Sequence, residues 1–307
     1  MECENEVKLK PEYVYQPGRL LRRLIHKTDR TSAGALTTFG FPLALMPDEL
    51  ISNSVRRKGM YDIVTAETIY RLLDPKEQAI DVGAHVGLMS MIMALRVGRE
   101  GSVHSFEPHP AVYAVLRSNA ARVNAALGGD VVETQSLALS DAARQAPLFL
   151  PEDWTRNTGV ARLNPAQNSA PVSSLVDCQT LDDAGLPGAP TFMKLDVEGH
   201  ELAVLRGGPR TLEKLRDIVF EDFGSYPTPA MSLLEENGFH IFALFRTVSR
   251  PILVGPERRD VPAAADPNYL ATRDPERACK RLQSGGWHVL RRLYGEPLPE
   301  GTASRRR

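Results

Sequence analysis

Acidic side chains recur in this sequence directly after short apolar runs that have the length of buried strands. Asp81, Glu107, Asp141, Asp196 and Glu221 all occupy such positions. In a parallel sheet the carboxyl ends of the strands meet at one edge, and ligands bind in the crevice outside that edge. Carboxylates accept hydrogen bonds from hydroxyl and amino groups, so the pattern predicts a ligand rich in those groups rather than a bare polyphosphate.

The first of these strands leads into a glycine turn. The segment Ala79-Ile80-Asp81-Val82-Gly83-Ala84-His85-Val86-Gly87 precedes an apolar helical stretch, which predicts a strand, a tight turn and a helix. Gly83 can adopt backbone angles closed to other residues, and Gly87 lets the helix and the strand approach closely. We therefore expect bare backbone N–H groups to meet a ligand at the helix start.

Glu107 follows the next strand, where a carboxylate can bind the two ribose hydroxyls of a nucleotide. The alternative is a structural acid at a helix start, because Pro108 and Pro110 open a helix; the position of Glu107 favours the ribose. NAD and S-adenosylmethionine both carry that ribose. A dinucleotide turn has the form G-x-G-x-x-G, whose middle glycine admits the pyrophosphate, and here position 85 is histidine. The turn therefore favours a ligand without phosphate.

Strands and helices alternate from residue 79 onward. The predicted strands are 79–83, 103–107, 131–139, 172–178, 192–196, 218–222, 239–245 and 268–272, and the predicted helices are 63–73, 87–96, 110–126, 201–215 and 229–237. Such alternation is typical of a mainly parallel sheet covered by helices on both faces. Lys194 would lie inside a central strand, where a buried ammonium needs a counter-ion, and Asp81 is the natural candidate.

The composition is that of a globular protein, with 42% apolar residues in a chain of 307. The net charge of -1 is spread along the chain, so we expect no nucleic-acid partner. The three cysteines show no metal-binding spacing and fit a reducing compartment. The acidic N-terminus lacks a signal-peptide pattern, and no apolar run approaches the roughly 18 residues of a membrane span. We expect a cytoplasmic protein without a transmembrane segment.

The domain organisation is predicted as three parts. Residues 1–75 form an N-terminal extension that packs on the core, 76–273 the ligand-binding domain, and 274–307 a C-terminal helix and a basic tail. Residues 20–27 have the pattern of a short amphipathic helix, for which packing on the main domain is favoured over contact with an anionic partner. Residues 36–58 are predicted as short strands and turns, and 151–171 as a loop over the site.

A family resemblance rests on five segments taken in order. They are Asp81-Val82-Gly83-Ala84-His85-Val86-Gly87, Phe106-Glu107-Pro108, Asn119, Ala138-Leu139-Ser140-Asp141, and Lys194-Leu195-Asp196-Val197-Glu198-Gly199-His200-Glu201 with Glu221 after it. These segments resemble the FkbM-type family of S-adenosylmethionine-dependent methyltransferases, over about Thr38 to Leu270. The resemblance implies a Rossmann-like, doubly wound α/β fold, in which a mainly parallel sheet of seven strands has an antiparallel last strand and follows an N-terminal extension.

The resemblance also implies contacts with the methionine part of S-adenosylmethionine. Gly83, Ala84 and Gly87 would hold that part, and Asp81 would lie near its ammonium group. His85 belongs to the same set, at a position where the family usually has asparagine.

The adenosine part would be bound further along the chain. The resemblance places Glu107 on the ribose, and Asp141, with Ser140 beside it, at the adenine amino group. Residues 76–273 would then be a methyltransferase domain.

Asp196 and Glu221 are the candidate catalytic bases. Methyl transfer to an alcohol is an in-line displacement, so positioning contributes most, and a base removes the proton only as the new bond forms. Repulsion among Asp196, Glu198 and Glu221 would raise the pKa of at least one of them. The same carboxylates could hold Mg²⁺ beside a sugar diol, but the family motif does not require a metal and none is assigned.

We therefore expect O-methylation of a hydroxyl on a sugar, glycan or secondary metabolite, with S-adenosylmethionine as the cofactor. The small-molecule or glycan acceptor would meet residues 36–58, 151–171 and the stretch from Arg246 to Pro267. Two alternatives stay open: an NAD-dependent oxidoreductase, and a methyltransferase-like domain that binds without turnover, since His85 departs from the family pattern.

Overall fold

A computed structural model describes residues 11–18, 33–149, 163, 172–257 and 268–293. The helices are α1 (Pro11–Tyr15), α2 (Leu50–Lys58), α3 (Ile63–Leu72), α4 (Leu88–Val97), α5 (Pro110–Leu127), α6 (Glu201–Arg206), α7 (Pro209–Leu212), α8 (Pro229–Glu236) and α9 (Pro275–Leu282). The strands are β1 (Gly34–Leu36), β2 (Pro42–Ala44), β3 (Gln78–Val82), β4 (Ser102–Phe106), β5 (Val132–Gln135), β6 (Ala138–Ser140), β7 (Arg144–Phe149), β8 (Val172–Thr180), β9 (Phe192–Leu195), β10 (Asp217–Glu221), β11 (His240–Arg246), β12 (Pro251–Val254) and β13 (Asn268–Thr272).

The central sheet has eight strands in the order β12-β11-β13-β10-β9-β3-β4-β5. Strands β5, β4, β3, β9 and β10 are parallel, and β13 runs antiparallel between β10 and β11. The prediction that the last strand is antiparallel is therefore confirmed by β13. The sheet has one strand more than the seven predicted, because β12 returns from β11 as an antiparallel edge strand.

Side chains of the central strands alternate between two hydrophobic clusters, one on each face of the sheet. Phe192 packs into the cluster that contains α3, α4 and α5, whereas Met193 and Leu195 pack into the cluster that contains α6 and α8. This alternation is the period of two that strands impose. Helices thus cover both faces, and the Rossmann-like, doubly wound α/β fold is confirmed.

Three segments differ from the prediction. The single strand predicted for 131–139 is two strands, because β6 leaves the central sheet and joins β8 and β7 in a separate three-stranded sheet. Residues 50–58 form helix α2, capped by the Glu49 carboxylate, rather than strands and turns. The helix predicted for 201–215 breaks after Arg206, at a pair of glycines followed by Pro209, which opens α7.

The N-terminal segment shares the main hydrophobic core. Phe39, Phe41 and Leu43 are fully buried in the same cluster as strand β9 and helix α4. The boundaries after 75 and 273 stay predictions, and the helix at 20–27, the tail at 304–307 and, apart from Leu163, the loop at 151–171 lie outside the described residues. Among the described helices, none has both the length and the apolar character of a membrane span.

Candidate active site

A cavity of about 520 Å³ lies along the carboxyl ends of the central strands. Gly83 follows β3 in its wall, Glu107 follows β4, Asp196 follows β9, and Glu221 ends β10. The strand order reverses between β3 and β9, which is the place where open α/β sheets bind their ligands. The volume suits a small organic ligand.

The glycine turn after β3 fits tightly against the end of β9. Gly83 has φ of 73°, and a Cβ atom there would collide with the carbonyl oxygen of Asp196. The N–H groups of Gly83 and Ala84 both donate to the carbonyl oxygen of Phe106, at 3.0 Å each. These two N–H groups are therefore not available to a ligand, because the neighbouring strand end uses them. The expectation of bare N–H groups at the helix start stays a prediction.

Gly87 lies beside the cavity at the start of α4 and is not one of its lining residues in the described chain. A Cβ at this position would lie 2.7 Å from the Leu116 side chain on α5. The nearest neighbour of that Cβ is thus on a helix and not on a strand, and the left-handed backbone, at φ of 88°, favours glycine at this position. Asn119 on α5 donates to the carbonyl oxygen of Val86 at 2.8 Å and ties the turn to the same helix.

His85 lines the cavity with a left-handed backbone, at φ of 51°. Its backbone N–H donates to Glu107 Oε2 at 3.0 Å. Burial lowers the pKa of the His85 side chain, and the positive charge of Lys194 acts in the same direction, so the imidazole is neutral near pH 7. The turn thus holds an uncharged ring in the wall of the cavity.

Glu107 is 7% exposed and is held by two backbone donors. Besides the contact from His85, Oε1 accepts from the N–H of His109 at 2.9 Å. Burial raises the pKa of Glu107 to about 7, although both hydrogen bonds oppose the shift. A carboxylate offers about four lone pairs, so this one retains acceptor capacity toward the cavity.

Lys194 and Asp81 form the buried pair that the sequence predicts. The two residues are register partners on β9 and β3, and the ammonium lies 3.5 Å from Asp81 Oδ1. Lys194 also donates to the carbonyl oxygen of Gly83 at 2.7 Å, and Asp81 accepts from the Ser90 hydroxyl at 2.5 Å. Asp81 is fully buried, holds Lys194 and is not part of the described cavity wall. Its predicted place near the ammonium of the cofactor stays a prediction.

Ser140 and Asp141 are not brought into the cavity wall formed by the described residues. Because β6 pairs with β8, Asp141 turns to the surface and accepts from Arg144 at 2.7 Å, while the Ser140 hydroxyl lies 2.9 Å from His200 Nε2. The predicted adenine contact of Asp141 has no support in this arrangement. Leu137 and Ala138 line the cavity instead.

Three carboxylates meet on the other side of Lys194. Asp196, Glu198 and Glu221 each place one oxygen within 4.8 Å of the others, and Asp196 Oδ2 lies 3.2 Å from the Lys194 ammonium. Burial raises the pKa of Glu221 to about 9, with further contributions from the charges of Asp196 and Glu198. Glu221 is therefore protonated near pH 7. Such an oxygen cluster could also bind a divalent cation, and the absence of a metal stays a prediction.

Several residues of the cavity wall were not singled out from the sequence. They are Glu12, Tyr61, Phe223 and Arg246, the last of which was predicted only as one end of an acceptor segment. Phe223 follows β10 and Arg246 ends β11, so the strand-end rule would have found both. Glu12 lies in a segment without periodicity and gave no signal. Of the predicted acceptor segments, Leu50, Lys58 and Leu163 also contribute.

Fold and cavity together define an α/β protein with a cavity at the switch point of a doubly wound sheet. A family model described as "Methyltransferase FkbM domain" matches residues 81–241, slightly more than half of the chain. The chain belongs to this methyltransferase family.

Two characterised relatives carry methyltransferase names. The hexuronic acid methyltransferase AglP of Haloferax volcanii is 27% identical over 157 residues, which cover 51% of this chain and 60% of that protein. The methyltransferase sdnD of Sordaria araneosa is 31% identical over 195 residues, covering 53% of this chain and 73% of that protein. The chain therefore spans less than two thirds of the length of AglP.

Two solved structures are similar at a lower level. Methyltransferase FkbM from Methylobacillus flagellatus has a TM-score of 0.39 at 18% identity and covers 65% of this chain and 44% of that chain. The fibrillarin of Aeropyrum pernix was solved with natively bound S-adenosyl-L-methionine. It has a TM-score of 0.38 at 13% identity and covers 68% of this chain and 74% of that chain.

Proposed function

We propose that the protein is an S-adenosylmethionine-dependent methyltransferase that methylates a hydroxyl group of a sugar, glycan or secondary metabolite. One observation carries the proposal. A single cavity joins the glycine turn and Glu107, over β3 and β4, to the carboxylates Asp196 and Glu221, over β9 and β10. Such a division suits a cofactor on one side and an acceptor on the other.

The residues on the β3–β4 side fit the proposed cofactor. Ala84 and His85 would hold its methionine end, and Glu107 would accept hydrogen bonds from its ribose hydroxyls. Leu137 and Ala138 offer an apolar surface for the adenine, in place of the contact predicted for Asp141. When bound, S-adenosylmethionine supplies an electrophilic methyl group on a sulfonium.

The carboxylates would handle the proton of the acceptor. Asp196 is held by Lys194, whereas Glu221 keeps its proton near pH 7 and shares a hydrogen bond with Asp196. The acceptor hydroxyl would donate to the Asp196 carboxylate and pass its proton there as its oxygen forms the new bond to carbon. Asp196 is therefore the preferred base, and Glu221 orients it.

The relatives support a small acceptor. One of them is named for a hexuronic acid, and both are named methyltransferases. The oxidoreductase alternative is less well supported, because the family is one of methyltransferases and histidine stands at position 85, where a dinucleotide turn has its middle glycine. A domain that binds without turnover is separated from an enzyme by the experiment below.

The test measures cofactor binding and turnover separately. Titration calorimetry with S-adenosylhomocysteine and with NAD should give binding of the first only. Release of S-adenosylhomocysteine from S-adenosylmethionine is then followed with a panel of sugars, glycans and hydroxylated metabolites. Turnover with at least one acceptor supports the enzyme, whereas cofactor binding without turnover across the panel supports the non-catalytic alternative.

Variants of the two carboxylates test their roles. Asp196→Asn should lower kcat by about 10²–10⁴ at unchanged affinity for S-adenosylhomocysteine, because only the proton acceptor is lost. Glu221→Gln should have a smaller effect, since Gln can still donate a hydrogen bond to Asp196. Glu236 is exposed, and Glu236→Gln is the control, which should leave kcat and the affinity for S-adenosylhomocysteine unchanged. Full turnover in Asp196→Ala and Glu221→Ala, with normal binding of both substrates, would remove both residues from the mechanism.

A further inference from the structure

Helix α1 brings an acidic side chain into the cavity from outside the segment that matches the family. Glu12 is 4% exposed and lines the same cavity as Asp196 and Glu221. Its Oε2 atom is buried and accepts no hydrogen bond from the described residues. Among the described residues, the guanidinium of Arg246 lies 3.9 Å from this atom, which is an ion-pair distance and too long for a hydrogen bond.

A buried carboxylate oxygen without a donor is unfavourable, and a ligand can remove that cost by supplying one. A hydroxyl group in the cavity could donate to Glu12 Oε2, and Arg246 could donate to an oxygen of the same ligand. Both residues lie toward β11, at the side of the cavity away from Glu107 and the glycine turn. Their position is that of the acceptor rather than of the cofactor.

Two aromatic rings form part of the same wall. Phe223 lies two residues beyond the end of β10 and is 66% exposed, and Tyr61, just before α3, is 38% exposed. The face of an aromatic ring carries partial negative charge, which attracts the C–H groups of a saturated ring with hydroxyls at its edge. Aromatic faces beside a carboxylate and a guanidinium therefore suit a polyhydroxylated ring.

Charge narrows the class of acceptor further. Carboxylates outnumber lysines and arginines along the described cavity wall. A ligand that carries its own carboxylate would be repelled by Glu12 and by Asp196, at short range and in a partly dry site. A polyhydroxylated ring without a carboxylate avoids that repulsion and still supplies the donor that Glu12 lacks.

We propose that Glu12 and Arg246, with Phe223 and Tyr61, form an acceptor subsite for an uncharged polyhydroxylated ring of the pyranose class. The inference rests on the methyl-transfer function proposed above and adds the identity of the acceptor side. It also makes α1 part of the binding site, so the segment that matches the family does not by itself contain the whole site.

The experiment uses the full chain and three probes: methyl glucopyranoside, glucuronate and the acyclic polyol glycerol. Binding is measured by saturation-transfer NMR and calorimetry, with and without saturating S-adenosylhomocysteine. Methyl glucopyranoside should bind at least tenfold more tightly than either of the others. Glu12→Gln should weaken that binding about tenfold or more and leave the affinity for S-adenosylhomocysteine unchanged. The exposed Glu213→Gln is the matched control and should behave as wild type.

Arg246→Gln changes the subsite at strand β11 and should also weaken binding of the glucoside. A loss in this variant as well shows that the effect of Glu12→Gln is not only a detachment of α1. Equal glucoside binding in wild type and both variants overturns the proposal, as does tighter binding of glucuronate or no binding of the glucoside. The proposed function is contradicted by a different result, namely that S-adenosylhomocysteine does not bind. The sugar titrations without S-adenosylhomocysteine test the subsite in either case.

Discussion

Gly83 and Asp196 touch through their backbones at the point where the central sheet reverses its strand order. The Cα of Gly83 lies so close to the Asp196 carbonyl oxygen that no side chain fits between them. The turn on the cofactor side and the proposed base are thereby held in one rigid relationship, because each strand end limits the position of the other. A change at Gly83 should therefore affect both halves of the cavity.

Gly83→Ala should destabilise the fold and abolish binding of S-adenosylhomocysteine. The substitution places a side chain in a left-handed conformation, which costs about 1–2 kcal/mol, and forces β3 and β9 apart as well. Gly128→Ala is the matched control, since Gly128 has a similar φ of 70° but open space around it. Urea denaturation measures the free energy of unfolding of both variants. Gly128→Ala reports the strain of the left-handed backbone alone, and any larger loss in Gly83→Ala reports the collision with Asp196. Equal losses in free energy of unfolding would show that the contact with Asp196 is relaxed at no cost.

Binding of S-adenosylhomocysteine should weaken as the pH falls through 7. Burial raises the pKa of Glu107 to about 7, so the carboxylate is charged above that pH and protonated below it. Only the charged form offers all its lone pairs to ribose hydroxyls while it holds the N–H groups of His85 and His109. The dissociation constant should rise by up to about tenfold per pH unit below 7.

The control for this titration is Glu107→Gln, which should bind weakly at every pH because it cannot ionise. Calorimetry between pH 6 and pH 8.5 measures both proteins. A wild-type affinity that does not change over this range would exclude a charged Glu107 as a ligand of the ribose.

Lys194→Met should lower the free energy of unfolding by about 3–5 kcal/mol, because it leaves the fully buried Asp81 carboxylate without its counter-ion. The double variant with Asp81→Asn should recover part of that loss. Lys76 and Glu100 supply the control, since they form an exposed ion pair at 2.8 Å. Lys76→Met should cost at most about 1 kcal/mol. A similar small cost for Lys194→Met would mean that the Asp81 carboxylate is stable without a partner.

The pairing of Lys194 with Asp81 could be predicted from the sequence because both the alternation along a strand and the order of strands are regular in this fold class. Asp141 could not be placed in the same way. Its position depends on β6 leaving the central sheet for β8, a pairing between segments far apart in the chain that no local pattern encodes. Local signals gave the ends of β3, β4, β9 and β10 to within one residue, and non-local pairing decided which strand ends face the cavity.

Glu12 was missed for a related reason. Its segment has no hydrophobic period, and its burial arises from contact with a strand end more than two hundred residues away. Helix α2 was missed although its cap is local, because Glu49 is a less common cap than serine, threonine or aspartate. Leu50, Leu163 and Arg246, from the segments predicted to meet the acceptor, line the cavity, and their contact with an acceptor stays a prediction.

His85→Asn should fold as stably as wild type and change the affinity for S-adenosylhomocysteine. The backbone at this position is left-handed, at φ of 51°, and asparagine and histidine are both among the residues that tolerate this conformation. The asparagine usual in the family and the histidine of this chain therefore meet the same backbone requirement and differ only in what they present to the cavity. The branched side chain of valine does not tolerate a left-handed backbone, so His85→Val should lose about 1–2 kcal/mol of folding free energy. Denaturation and calorimetry on the same samples distinguish the two effects, and an unchanged affinity in His85→Asn would place the ring away from the methionine end of the cofactor.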